Sequence, residues 1–233
     1  MAPDDVAQLY ALAVAQQRAE QIPAAIATYR RCLSLSPRSP EIYNNLGTAL
    51  DRAGQLDEAV KCFRRAHLLD PGYARPLVNL GRLLRLQGKA SEALTSLERA
   101  LALAPDSPTA LTNLGFILTD FGRRPEAIQH LRRAIALDDA LAEAHHGLGR
   151  ALLDSGDASA AADSLQRALN LKPALPEACL PLAISLTVLQ RLPEALAVLE
   201  RVFDRRPDDS EVLAEHLNCS ARMCDWERLE QTL

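Results

Sequence analysis

Three asparagines, Asn45, Asn79 and Asn113, stand 34 residues apart. Each carboxamide brings two N–H donors and an oxygen acceptor, the set needed to hold a peptide backbone whatever its side chains are. At related positions lie Thr48, Phe116 and the guanidinium groups of Arg75, Arg82 and Arg150, which suit the carboxylates of a bound segment. The bland alternative is that these asparagines are only solvated, as asparagine often is on protein surfaces. Other reactive residue types form no reaction centre. His145 and His146 are sequence neighbours and leave a helix about 100° apart, so they cannot share a metal as an i, i+4 pair does. His216, Cys219 and Cys224 cluster near the C-terminus but lack the ligand set of a closed zinc site. With no Ser-His-Asp order, phosphate-binding glycine loop or paired-cysteine motif, the expectation is a binding protein with no catalytic residue, cofactor or metal.

The elements that must position the asparagines follow from the same period. Gly47, Gly81, Gly115 and Gly149 are 34 apart, as are Ala59, Ala93, Ala127 and Ala161. The register divides residues 6–209 into six windows without insertion: 6–39, 40–73, 74–107, 108–141, 142–175 and 176–209. Counting slots from the start of each window, slot 7 is Leu throughout, from Leu12 to Leu182, and slot 20 is always Ala. Apolar slots 4, 7 and 11 recur at helical spacing; after a break, a second apolar set occupies slots 20, 21, 24, 27 and 28, so each window reads as two helices. Slot 18 holds Pro, Asp or Ser, residues favoured at a helix N-cap or first turn. Slots 2, 6, 9 and 13 make a stripe on the first helix opposite its packing slots, and this stripe carries the asparagines. In the sixth window it holds Pro181, and the neighbouring Leu180, Ile184 and Val188 are apolar. Pro181 should shorten or kink that helix, and the apolar Ile184 and Val188 mark a surface that joins another domain or is simply exposed.

Six copies in strict register resemble the tetratricopeptide repeat family. The resemblance implies an all-α, right-handed superhelical solenoid of six helix pairs, with the first helices lining a concave groove that binds a protein or peptide. Residues 210–233 begin a seventh helix and then depart from the pattern as CDWERLEQTL. A last helix ending in Cys224-Asp225-Trp226 is similar to the junction between repeats and catalytic region in the O-linked N-acetylglucosamine transferase and SPINDLY family. The asparagine file also resembles the groove of that family. These likenesses imply that the chain is the substrate-selecting arm of a larger protein O-glycosyltransferase. A self-contained adaptor and a module that forms homo-oligomers through its repeat ends are the alternatives.

Composition agrees with the repeat. Aromatic residues are 4% of the chain and charged residues 24%, a helix-forming balance that disfavours strands. A net charge of −4 gives no footprint for nucleic acid. No segment reads as a leader or a membrane span, and five scattered cysteines fit reduced thiols; a cytoplasmic protein is expected.

Overall fold

First helices begin at Pro40, Ala74, Pro108 and Ala142, and second helices at Leu56, Ala90, Arg124 and Ala158. The period of the sequence is thus a period of helix starts. The computed structural model describes residues 5–203 and 209–223; Cys224, Asp225 and Trp226, read above as a domain junction, lie outside them. The described residues contain thirteen α-helices and one 3-10 turn, and the chain divides into two units at Asn113. The first contains α1 (Val6–Arg18), α2 (Ile22–Leu35), α3 (Pro40–Arg52), α4 (Leu56–Leu69), α5 (Ala74–Leu86) and α6 (Ala90–Leu103). Helix α7 (Pro108–Asp120) runs through the division. The second holds α8 (Arg124–Leu137), α9 (Ala142–Asp154), α10 (Ala158–Leu171), the 3-10 turn Pro176–Ala178, α11 (Cys179–Val188), α12 (Leu192–Phe203) and α13 (Ser210–Arg222).

Local chemistry sets the ends of these helices. Ser39 and Ser107 accept from the Ile42 and Ala110 amides at 3.5 and 3.3 Å, and Pro40 and Pro108 follow as first helical residues, where a missing N–H costs nothing. Asp5 and Asp209 cap α1 and α13 in the same way. The second helices start one residue before slot 18, which therefore lies in the first turn, one of the two places expected for it, and is not the cap; among the described second helices Asp157 provides a side-chain cap, to Ala160. Between the two helices of a pair the backbone passes through the left-handed region at one recurring place. Gly54, Gly88, Gly122 and Gly156 occupy it with φ of +72° to +88°, while Glu20 and Gln190 are held there at 59° and 63°.

Packing within each pair rests on a close approach. Gly47 faces the Phe63 ring and Gly81 faces Leu97, where a Cβ would come within 2.7 and 2.6 Å. In the second unit Gly115 meets Leu131 and Gly149 meets Leu165 in the same manner. The slot-20 alanines are all 0% exposed, because a larger group there would hold the pair apart. Slot 7 is buried from Leu46 onward, but Leu12 is 43% exposed. Helix α1 is the first described element, and among the described residues no helix precedes it over that position. Pro181 acts as expected: α11 is ten residues long where the other first helices have thirteen, and a 3-10 turn precedes it. Ion pairs tie successive second helices of the first unit, Arg30 to Glu58 at 2.7 Å and Arg64 to Glu92 at 2.8 Å. Their side chains are about half exposed, so each contributes little.

Candidate peptide-binding surface

In the first unit Asn45 and Asn79 belong to a hydrogen-bonded ladder that links successive first helices. The Asn45 amide donates to the Tyr10 hydroxyl at 2.6 Å, and the Asn79 amide donates to the Asn44 oxygen at 3.1 Å. Asn44 in turn donates to the Asn45 oxygen at 3.2 Å. The rule is that slot 6 of one window reaches slot 5 of the window before it, because neighbouring first helices touch along this line. The stripe is therefore not turned wholly away from packing, as its spacing implied: Asn45 and Asn79 are half-buried. Asn113 stands at the same slot and makes no such bond. Its counterpart at slot 5 is Val78, which offers no acceptor, and Asn113 is 8% exposed with no hydrogen bond to its carboxamide among the described residues.

Spare hydrogen-bonding capacity is graded along the ladder. A carboxamide has two N–H groups and two oxygen lone pairs. Asn45 has committed one of each, Asn79 one N–H only, and Asn113 none. Asn44 is 2% exposed and joins Asn45 to Asn79. Sequence reading passed over it because slot 5 carries Asn in one window alone. Thr48 donates back to the Asn44 carbonyl at 3.1 Å, leaving its oxygen as an acceptor.

The arginines are already engaged. Arg82 pairs with Asp51, and Arg52 pairs with Glu20 and donates to the Gln17 carbonyl at 3.1 Å. Arg82 is thus neutralised where the sequence suggested a free cation for acidic side chains; Asp51, one position beyond the stripe, was the missed partner. Arg75 is exposed at the start of α5 beside Tyr73. Burial raises the Tyr73 phenol above its usual pKa while Arg75 opposes that rise. Tyr29 is buried beneath the ladder and hydrogen-bonds Gln17 at 2.8 Å. Burial first, then the nearby Tyr10 and Cys32, push its phenol up to about 12.

Other stripe residues lie in the second unit. Phe116 is 7% exposed, with its ring tilted against His146 at 5.4 Å and the Arg150 guanidinium 6.0 Å from its centroid. Gly147 lies close to both Leu131 and this ring, where a Cβ would stand 2.8 and 3.3 Å away. Phe116 is therefore mostly a packing residue and offers little surface to a ligand, and Arg150 is paired with Asp120. His145 is buried, with Nε2 against the Asp139 carbonyl at 3.1 Å. The described cysteines are free thiols, and no three His, Cys, Asp or Glu side chains among the described residues are grouped to hold a metal.

Tetratricopeptide repeat profiles match residues 39–106, 74–140 and 106–174, with further repeat profiles over 152–214 and 18–54. The chain is a tetratricopeptide repeat protein. Its fold is the all-α helical solenoid of that family. It is similar to a chain of the APC/C hetero-tetramer Cut9–Hcn1, with a TM-score of 0.88, 19% identity and 94% of this chain covered; it spans 43% of that chain. PilF of Pseudomonas aeruginosa aligns at TM-score 0.71 and 20% identity over 83% of this chain and 88% of its own. YrrB, a tetratricopeptide repeat protein with an unusual peptide-binding site, aligns at TM-score 0.56 and 20% identity over 80% of this chain and 96% of its own. At these identities the likeness is one of fold. No curated protein matches the sequence. Tetratricopeptide repeats serve generally as non-enzymatic scaffolds for proteins and peptides, and no helix among the described residues is long and apolar enough to cross a membrane.

Proposed function

We propose that the protein holds an extended peptide segment across the first helices of its first unit, with Asn79 and Asn113 binding the segment's backbone. The observation that carries this reading is the graded ladder. Asn44, Asn45 and Tyr10 are tied to one another and fix the row, whereas Asn79 keeps its oxygen and one N–H, and Asn113 keeps its whole carboxamide. The Asn113 carboxamide is 8% exposed with no hydrogen bond among the described residues, and a bound backbone would supply partners for it. With Arg82 and Arg52 already paired to carboxylates, recognition rests on backbone and shape more than on acidic side chains. Arg75 is left as the accessible cation of the row.

The test is a peptide selected from a random library against the full chain. Asn113→Ala should weaken its binding about 2- to 12-fold, the worth of one hydrogen bond, with circular dichroism unchanged. Arg82→Ala should change affinity less than Asn113→Ala does. The reverse order would return Arg82 to the role its sequence position suggested.

A finer reading makes the chain the substrate-selecting arm of a protein O-glycosyltransferase, without catalytic residues of its own. It is supported by the asparagine file and by the sequence Cys224-Asp225-Trp226. A reading frame that continues past Leu233 into a nucleotide-sugar-binding region would support it; a stop codon there would favour a free-standing adaptor.

A further inference from the structure

Helix α11 in the second unit has an inverted polarity. Its two hydroxyl side chains are buried, Ser185 at 0% and Thr187 at 5% exposure, and both bond back to carbonyls of their own helix, Pro181 and Ala183, at 2.8 and 2.9 Å. Three outward residues of α11, Leu180, Ile184 and Val188, are apolar; Leu180 and Ile184 are half-buried and Val188 is 59% exposed. Corresponding positions on α9 carry His146, Arg150 and Asp154. An amphipathic helix normally turns its hydroxyls to water and its branched aliphatics to the core, and α11 instead presents an apolar face outward.

The neighbours of α11 state the charge that suits an occupant of this face. Helices α9 and α13 both pack on α11, and Thr187 meets Cys219 of α13 at 3.1 Å. Asp154 ends α9 at the position where Val188 ends α11, and Glu177 stands in the turn before α11. Glu215 lies on α13, held by Asn218 at 3.3 Å. None of these three carboxylates has an ion-pair partner among the described residues. Nearby Lys172 is bound to Glu143, and Arg150 to Asp120, which leaves Arg222 as the cation of α13.

We propose that the outward stripe of α11 docks a basic amphipathic helix of a partner protein, its leucine-like side chains on Leu180, Ile184 and Val188 and its lysines or arginines against Asp154, Glu177 and Glu215. Two other occupants fit the charge poorly. Residues 224–233 bring Asp225, Glu227 and Glu230 against Arg228 alone, and a second copy would present the same carboxylates with a net charge of −4. This surface lies in the other unit from the asparagine ladder, so either proposal stands if the other fails.

The probes are an 18-residue helical peptide of leucine and lysine with one apolar face, a scrambled peptide of the same composition without that face, and a version with glutamate for lysine. Anisotropy with the full chain should show binding of the first alone. Val188→Lys, a change at an exposed site, should weaken it at least about tenfold by removing apolar contact and adding like charge. Asp154→Asn/Glu177→Gln should weaken it and flatten its salt dependence. Equal binding of the scrambled peptide, indifference to Val188→Lys, or no binding at all would overturn the proposal. So would dimerisation of the free chain that Val188→Lys abolishes, since the face would then belong to a second copy.

Discussion

Gly81→Ala sets two effects of opposite sign against each other. In an unobstructed helix, replacing Gly by Ala stabilises by about 1 kcal/mol. At Gly81 the new methyl carbon would stand 2.6 Å from Leu97 Cγ and 3.0 and 3.1 Å from its two methyl carbons, against an optimal carbon separation of about 3.5–4.0 Å. Leu97 is 0% exposed, so it cannot swing into solvent, and α5 must move off α6. Overpacking of this kind costs about 1–3 kcal/mol. Subtracting the propensity gain leaves a net loss of about 0–2 kcal/mol. The first and sixth pairs place Ala13 and Ala183 at the same slot, both 0% exposed, which shows that a pair can open enough for a methyl when the whole hairpin is built around it. The loss therefore belongs in the lower half of that range, and Gly81→Leu should lose clearly more. Urea denaturation of the full chain is the assay, with Gly81→Ala/Leu97→Val as the relief variant. The double variant should lose less than the sum of the two single changes. A stabilisation near 1 kcal/mol for Gly81→Ala alone would refute the close-approach argument.

Other expectations follow from particular contacts. Gln190 sits at φ 63° where four other pairs have glycine, so Gln190→Gly should stabilise by about 0.5–1 kcal/mol after the glycine entropy cost, read as a rise in melting temperature. Asn44→Ala leaves the half-buried Asn45 and Asn79 without their buried partner and should cost about 1–3 kcal/mol, whereas Asn113→Ala removes an unbonded group and should leave stability within about 0.5 kcal/mol. Equal losses in urea for those two would deny the ladder. Tyr29 ionises near 12 in the folded chain and near 10 when unfolded. The unfolded state therefore holds fewer protons between these values, and stability present below pH 10 should fall as pH rises toward 12. Tyr29→Phe should flatten that part of a stability-versus-pH curve.

Much of this architecture was legible in the sequence because each of its parts is local. The Gly at slot 8, the Ala at slot 20 and the aromatic or Leu at slot 24 meet within one helix pair, so a period of 34 announces both the hairpins and their contacts. Pro181 likewise acts on its own helix. The binding row was only half legible. Spacing gave Asn45, Asn79 and Asn113, but their partners lie 35 residues away at slot 5, where Tyr10, Asn44 and Val78 differ in type and leave no repeated signal. The neutralisation of Arg82 by Asp51 was hidden for the same reason. Leu12 misled because a repeat rule says nothing about how far each copy is covered, and Phe116 because a stripe position can be covered by the following first helix, here by His146 of α9.

The central claim is that the ladder of the first unit binds a peptide backbone through Asn79 and Asn113. Its most direct test is calorimetric titration of a library-selected peptide onto the full chain and onto Asn79→Ala/Asn113→Ala, repeated with the peptide N-methylated along its backbone. The account predicts a loss of about 5- to 150-fold for the double variant, two hydrogen bonds' worth, an unchanged helical spectrum, and a smaller effect of N-methylation on the variant than on the wild type. Undiminished affinity in a well-folded double variant would contradict it.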